Sequence, residues 1–270
     1  MNGSSRSAAA AVDKAFDALV DHTDRRQLAE DLFAVTAVVD GNASLRRALA
    51  DHSREGDAKR ALASSLLSGK VGQDAVSLTG EAAAQRWSAE RDYSDTLEAL
   101  AVQSLLAEAE ANGRIDDVED QLFRFERIIA GDSALRDTLA ARNTDGEGKA
   151  RLVAGLLDGK AHPETIRLAE QAVRAPRGRR VDRILEGYLT LAGTRRDELA
   201  ALVTTAVPLT EQQAARLRTQ LEAMYGKSVK LQSVIDPHVL GGIRVQVGDE
   251  VMDGTISRRI DEARRHVTGG

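Results

Sequence analysis

The sequence predicts a mainly α fold: two tandem helical bundles that share one helix, followed by a small α+β domain of β-α-β-β-α order. Three observations carry this expectation. Aromatic residues make up only 3% of the 270 residues, while alanine and leucine abound. Such side chains lose little freedom on entering a helix. A block of the chain repeats at an offset of 90 residues. Beyond about residue 198 the texture changes to short β-branched segments separated by Pro and Gly.

The elements follow in order. Residues 1–7 are small and polar and are expected to fray. From Ala8 to Val20, Val12, Phe16 and Leu19 fall on one helical face. Thr23-Asp24 can cap a second helix, which carries Leu28, Leu32, Val35 and Val39 and stops at Asp40-Gly41. Helices are then expected around Ser44–Asp51, Gly56–Leu67 and Gln73–Trp87, with another from near Arg91. The pattern then begins again. Gly41, Leu45, Arg46, Leu49, Ala50, Gly56, Lys59, Leu62, Leu66, Leu67, Gly69 and Lys70 reappear as Gly131, Leu135, Arg136, Leu139, Ala140, Gly146, Lys149, Leu152, Leu156, Leu157, Gly159 and Lys160, without a gap. Repetition at one fixed offset marks two homologous units in tandem.

The last helix of the first unit should end near Ala101, and the first helix of the second should begin near Glu98. One continuous helix from Arg91 to Ala111, ending at Asn112-Gly113, satisfies both. The expected domains are 1–97, 98–197 and 198–270. In the last, Leu199–Val207 reads as a strand closed by Pro208. Thr210 and Gln213 fit a capping box. The helix after it carries Leu217, Leu221 and Met224 and stops at Tyr225-Gly226. Val229–Ile235 is a second strand. Ile243, Val245 and Val247 alternate with Arg244 and Gln246, the period of a half-buried strand. Val251-Met252 can return as a short strand. A final helix would place Ile256, Ile260, Ala263 and Val267 on one face.

Composition narrows the chemistry. The net charge of −5 supplies no overall basic footprint, so nucleic acid is not an expected partner. No cysteine is present, which excludes disulfides, cysteine-ligated zinc and a thiol nucleophile. No apolar run reaches the ~18–20 residues of a spanning helix, so no direct membrane span is expected. His22, His52, His162, His238 and His266 are scattered singly, which argues against a metal site. Asp249-Glu250 and Asp253 could be read as paired carboxylates, but turn chemistry explains them. Leu156-Leu157-Asp158-Gly159-Lys160 lacks the spacing and hydroxyl of a phosphate loop. Its twin at 66–70 reads as a helix ending in glycine, with lysine facing the C-terminal dipole. Arg174–Arg180 is the densest basic run, expected to be a solvated loop or a contact with an acidic partner. No catalytic residue, cofactor or metal is expected.

Asp236, Pro237, Leu240, Gly241, Gly242, Gly248, Asp249, Asp253, Gly254, Thr255 and Arg258 form a run of turn and strand signals at fixed offsets. The run resembles the end of the delta subunit of bacterial F-type ATP synthases, the counterpart of the mitochondrial oligomycin-sensitivity-conferring protein. Thr204–Gln212, Asn112-Gly113-Arg114-Ile115 and Gly178-Arg179 are similar to further family segments, so the likeness covers roughly 96–270. Ala101-Val102 and Leu106 depart from the Tyr-Ala pair and Phe common in that family. The resemblance implies a non-catalytic peripheral-stalk subunit at the cytoplasmic face of the bacterial cell membrane. The helical bundles would hold alpha subunits of the catalytic head, and the C-terminal domain would meet b-type stalk subunits. Leu105, Leu106, Leu168 and Val173, on the first and fifth helices of the second unit, are candidate alpha-subunit contacts by this resemblance, with burial in the bundle's own core as the favoured alternative. Residues 1–95 resemble the duplicated N-terminal domain of actinobacterial members, in a form not fused to a b-type subunit. A helical-repeat adaptor in another assembly is the alternative.

Overall fold

The computed structural model describes residues 3–141, 145–196, 199–226, 229–236, 242–247 and 250–253. It forms two compact units, one up to Arg196 and one from Asp197. The first holds eleven helices among the described residues: α1 (Gly3–Asp17), α2 (Arg25–Gly41), α3 (Ala43–Ala50), α4 (Gly56–Leu67), α5 (Gln73–Ala84), α6 (Glu90–Ala111), α7 (Ile115–Gly131), α8 (Ser133–Ala140), α9 (Gly146–Leu157), α10 (Pro163–Arg174) and α11 (Val181–Arg196). Helices α2 to α5 recur as α7 to α10 with both ends displaced by 90 residues.

Local chemistry recurs with them. Asn42 Oδ1 caps α3 by accepting from Leu45 N at 3.0 Å, and Asp132 Oδ1 caps α8 from Leu135 N at 3.0 Å. Gly56 and Gly146 open α4 and α9 against the ends of α5 and α10. A Cβ at Gly56 would meet Ala84 O at 3.0 Å, and one at Gly146 would lie closer still to Arg174 O. This close approach is the physical reason for the repeated glycine.

The expected shared helix is continuous. Displaced by 90, α1 falls on residues 93–107, and α11 displaced backwards falls on 91–106. Both intervals lie inside α6. The same residues are therefore the last helix of one repeat and the first of the next. A helix of 22 residues spans about 33 Å. Tyr93, Leu97, Leu100, Ala101, Val102, Leu105 and Leu106 on it are buried in one continuous apolar core that draws on both repeats.

In the helical unit, three expected boundaries move by more than one residue. Helix α1 starts at Gly3, so residues 3–7 do not fray. Ser5 is buried, and its Oγ accepts from Ser88 N at 2.8 Å, tying down the first turn. The same helix ends at Asp17, short of Val20, although Val20 remains buried. Helix α5 stops at Ala84. Trp87 lies beyond it, donating Nε1–H to Ala82 O at 2.8 Å and meeting Tyr93 edge-on at 6.1 Å.

In the second unit, β1 (Leu199–Thr205), α12 (Glu211–Tyr225), β2 (Val229–Ile235), β3 (Ile243–Val247) and β4 (Glu250–Asp253) build a sheet of order β2-β1-β3-β4. The β1–β2 pair is parallel, from Leu199 opposite Val229 to Thr205 opposite Ile235, and α12 supplies the crossover. The other two pairings are antiparallel. Thr210 and Gln213 form the expected capping box, and Gly226 ends α12 at φ 64°. Val245 and Val247 are buried and Arg244 is exposed, the expected alternation. β1 ends two residues early because Val207 is exposed ahead of Pro208. The expected final helix lies outside the described residues.

A shared helix predicts shared stability. Replacing buried Leu100 by Ala should cost about 2–5 kcal/mol. Denaturation followed by Trp87 fluorescence and by amide exchange in α7–α10 should show the same fall in both repeats. An earlier transition confined to residues 3–84 would refute a single cooperative body.

Candidate functional site

The most elaborate polar constellation in the helical unit surrounds α6, where the basic run after α10 folds inward. The Arg177 side chain is only 8% exposed. Its Nε faces Asp40 of α2, its Nη1 reaches Glu98 Oε2 at 2.6 Å, and its Nη2 reaches Asp95 Oδ1 at 2.8 Å and donates to Ser94 Oγ at 2.6 Å. Arg179 Nη2 donates to both oxygens of Glu98, at 2.7 and 2.6 Å. Tyr188 Oη of α11 donates to Glu98 Oε1 at 3.4 Å. Arg91 closes the ring by donating to the Arg177 carbonyl.

The loop is bent to make this possible. Arg177 has φ 55° and Gly178 φ 75°, two successive left-handed residues. Arg177 alone among described non-glycine residues takes a positive φ, at a cost of about 1–2 kcal/mol. The expectation of a solvated loop or an external acidic partner is therefore corrected. Two of its arginines find their carboxylates within the chain, on helices of the first repeat and on the shared helix.

A second clamp joins α10 to α2. Arg167 donates from Nε and Nη2 to the two oxygens of Glu30, at 2.6 and 2.8 Å, and its guanidinium lies 4.7 Å from the Phe33 ring centroid. That combines a bidentate ion pair with a cation–π contact. A third contact centres on the fully buried Glu164 of α10, which holds Arg114 at 2.6 Å and faces Arg26 of α2 at 3.9 Å. Each of the three sites couples α2 of the first repeat to the second repeat.

Burial sets the electrostatics. The Asp95 carboxyl is pushed above the usual range by desolvation, which outweighs the attraction of Arg177, Arg179 and Arg91. Burial is the largest single influence on Arg177 and pulls it down, yet Glu98, Asp95 and Asp40 together hold it above its ordinary value. The arginine stays charged throughout.

The residues expected to do functional work are placed as follows. Leu105 and Leu106 on α6, and Leu168 and Val173 on α10, are all buried in the helical core. Asp236 follows β2, its backbone N–H donating to Thr205 O at 2.9 Å, and Gly242 precedes β3 at φ 84°. Asp253 is the last residue of β4. Pro237, Gly241, Gly248, Asp249, Gly254 and Arg258 lie outside the described residues. Lys160 Nζ donates to Leu156 O at 3.1 Å, beside Gly159 at φ 66°, the expected helix stop. His162 Nε2 lies 3.3 Å from a single carboxylate, Asp117. Among the described residues, no three His, Cys, Asp or Glu side chains gather as a metal site would require. Sequence reasoning missed Glu98, Asp95 and Asp40. Their separation from Arg177 is not the repeat offset, so periodicity gave no pointer to the pairing.

Two outcomes follow. Glu98→Ala removes the carboxylate shared by buried Arg177 and part-exposed Arg179, leaving Arg177 with Asp40 and Asp95, and should cost up to about 3 kcal/mol; Glu98→Gln, which keeps an acceptor, should cost less in the same thermal melts. Asp95 makes the opposite test. Its raised folded-state pKa means that the native chain binds more protons than the unfolded chain above about pH 4, the ordinary Asp value. Stability from this group therefore falls as pH rises through that window. The stability of Asp95→Asn minus that of the parent should rise with pH there and then level off. A difference independent of pH would refute the assignment.

Comparison with known proteins gives the family. Residues 102–267 match the family model described as ATP synthase delta (OSCP) subunit, starting inside α6. The chain is 46% identical over 246 residues to an ATP synthase subunit delta of Kineococcus radiotolerans, covering 91% of this chain and 89% of the relative. It is 44% identical over 271 residues to that of Streptomyces griseus, covering all of both. It is 46% identical to that of Streptomyces coelicolor, covering 99% and 98%. The relatives thus share the first repeat as well as the matched region, and the chain belongs to the ATP synthase delta (OSCP) subunit family.

Proposed function

We infer that this chain is a stator part of the F-type ATP synthase, a subunit of the peripheral stalk that resists rotor torque. The observation that carries the reading is the likeness to delta subunits over the whole chain. Its physical support is a helical body with one core and three inter-repeat polar clamps. No described helix is long and apolar enough to cross a membrane, so the chain is peripheral to the membrane complex. The cytoplasmic face is the side we propose.

We further propose that the helical body works as two bundles, 1–97 and 98–197, holding alpha subunits of the catalytic head, while 198–270 meets the b-type stalk subunits. A helix seated in a groove is the recognition mode such bundles suit. Leu105, Leu106, Leu168 and Val173 are the proposed alpha-subunit contacts between α6 and α10. Because all four are buried, a partner helix would reach them only by displacing what now covers them. The proposed role is adhesion without catalysis, with no active site of its own and no cofactor.

Crosslinking mass spectrometry on the intact membrane complex tests the reading. Residues 98–197 should link to the N-terminal segment of an alpha subunit, and 198–270 to the b-type subunits. Purification in an assembly lacking ATP synthase subunits would overturn it in favour of an adaptor role.

A further inference from the structure

The internal repeat supplies a template for a surface that the chain leaves open. On helix α2, Phe33 and Glu30 meet the second repeat: Arg167 of α10 lies over the ring and pairs with the carboxylate. Phe33 is 4% exposed. The corresponding residues of α7, 90 positions on, are Phe123 and Asp120. Phe123 is 52% exposed. The second repeat repeats the aromatic and the acid without repeating the cover.

The surroundings have also changed, and acids outnumber cations around the ring. Asp116, Glu119, Asp120 and Glu126 stand at positions i−7, i−4, i−3 and i+3 from Phe123, on its side of the helix. Their counterparts around Phe33 are Arg26, Ala29, Glu30 and Thr36. Arg124, paired with Asp120, and Arg127, one turn on from the ring, are the cations beside them, where the first repeat has Ala34 and Ala37. Where internal cover is missing, the ring is framed by acids. A large exposed aromatic within an acidic frame is complementary to a cationic, partly apolar helix.

We propose that the Phe123 face of α7 docks an arginine-bearing amphipathic helix of another ATP synthase subunit, seated as α10 is seated on α2. An arginine of that helix lies over Phe123 and pairs with Asp120, which exchanges its exposed partner Arg124, now at 2.6 Å, for the incoming cation. A second copy of this chain is the competing occupant, but the arginine that serves as the template, Arg167, is already committed to Glu30 in it. The partner being a subunit of this complex rests on the stator reading; the surface itself does not.

The test places a photoreactive benzoylphenylalanine at position 123 of the full chain in membranes carrying the ATP synthase. The complex is purified after irradiation. A Phe123→Cys variant with a thiol-directed crosslinker provides a second route, since the chain has no other cysteine. The expected product joins residue 123 to a helix of another subunit that has Arg or Lys within one turn of the link. Asp120→Arg should lower its yield about tenfold with an unchanged thermal midpoint. The proposal is overturned by a complex that contains the chain but gives no intersubunit product. It is equally overturned by links only to residues 197–270 or to a second copy, by a linked segment without a cation, or by a yield indifferent to Asp120→Arg. In each of these cases the stator reading stands, whereas absence of the chain from the ATP synthase defeats that reading.

Discussion

One helix does the work of two, and the rest of the helical body follows from it. Because α6 is both the end of the first repeat and the start of the second, it is enclosed by packing from both. Yet it is not a uniformly apolar rod. Ser94, Thr96, Glu98 and Ser104 on it are buried, and each must find a partner. Thr96 Oγ1 donates to Asp92 O within the helix, and Ser104 Oγ donates to Arg25 O at the start of α2. Ser94 and Glu98 are met by Arg177 from the other end of the helical sequence. The polar groups on the shared helix thus dictate where neighbouring segments must come, which apolar packing alone would leave loose.

The two repeats have diverged where this matters. Trp87 and Arg177 occupy equivalent positions, 90 residues apart. In the first repeat the site is filled by an indole packed edge-on against Tyr93. In the second it is filled by a guanidinium that turns towards α2 and α6. A buried ion network gives little net stability, because desolvation offsets most of the Coulombic gain. What it gives is directionality. A bidentate pair tolerates little sliding, so Arg177, Arg179 and Arg167 fix the register in which one repeat meets the other.

The helices and their register were legible because they rest on local rules. Gly56 and Gly69 recur as Gly146 and Gly159 for backbone reasons, and capping residues mark the starts of α2, α3, α8 and α9. The shared helix was legible because two overlapping intervals left no other economical solution. The Arg177 cluster was not. A run of arginines in a loop has the same appearance whether water or a distant carboxylate receives it, and only tertiary packing brings Glu98 and Asp40 to it. The first turn of α1 was misread for the same reason: its anchor, Ser88, lies more than eighty residues away. Leu105, Leu106, Leu168 and Val173 were legible as apolar helix positions, but apolar periodicity does not distinguish a core from a groove.

For a part that must transmit torque, these features act on different deformations. Separation of the repeats is resisted by the continuous core, since pulling α2 from α6 exposes apolar surface. Sliding or twisting exposes little surface and would be opposed weakly by that core alone. It is the polar clamps that resist it, because displacement parts Glu98 from two guanidinium groups and Glu30 from the Arg167 fork. The clamps lie on both α6 and α10, so rotation about either helix strains at least one. Stiffness in this body therefore comes from placing directional contacts around a helix that neither repeat can release.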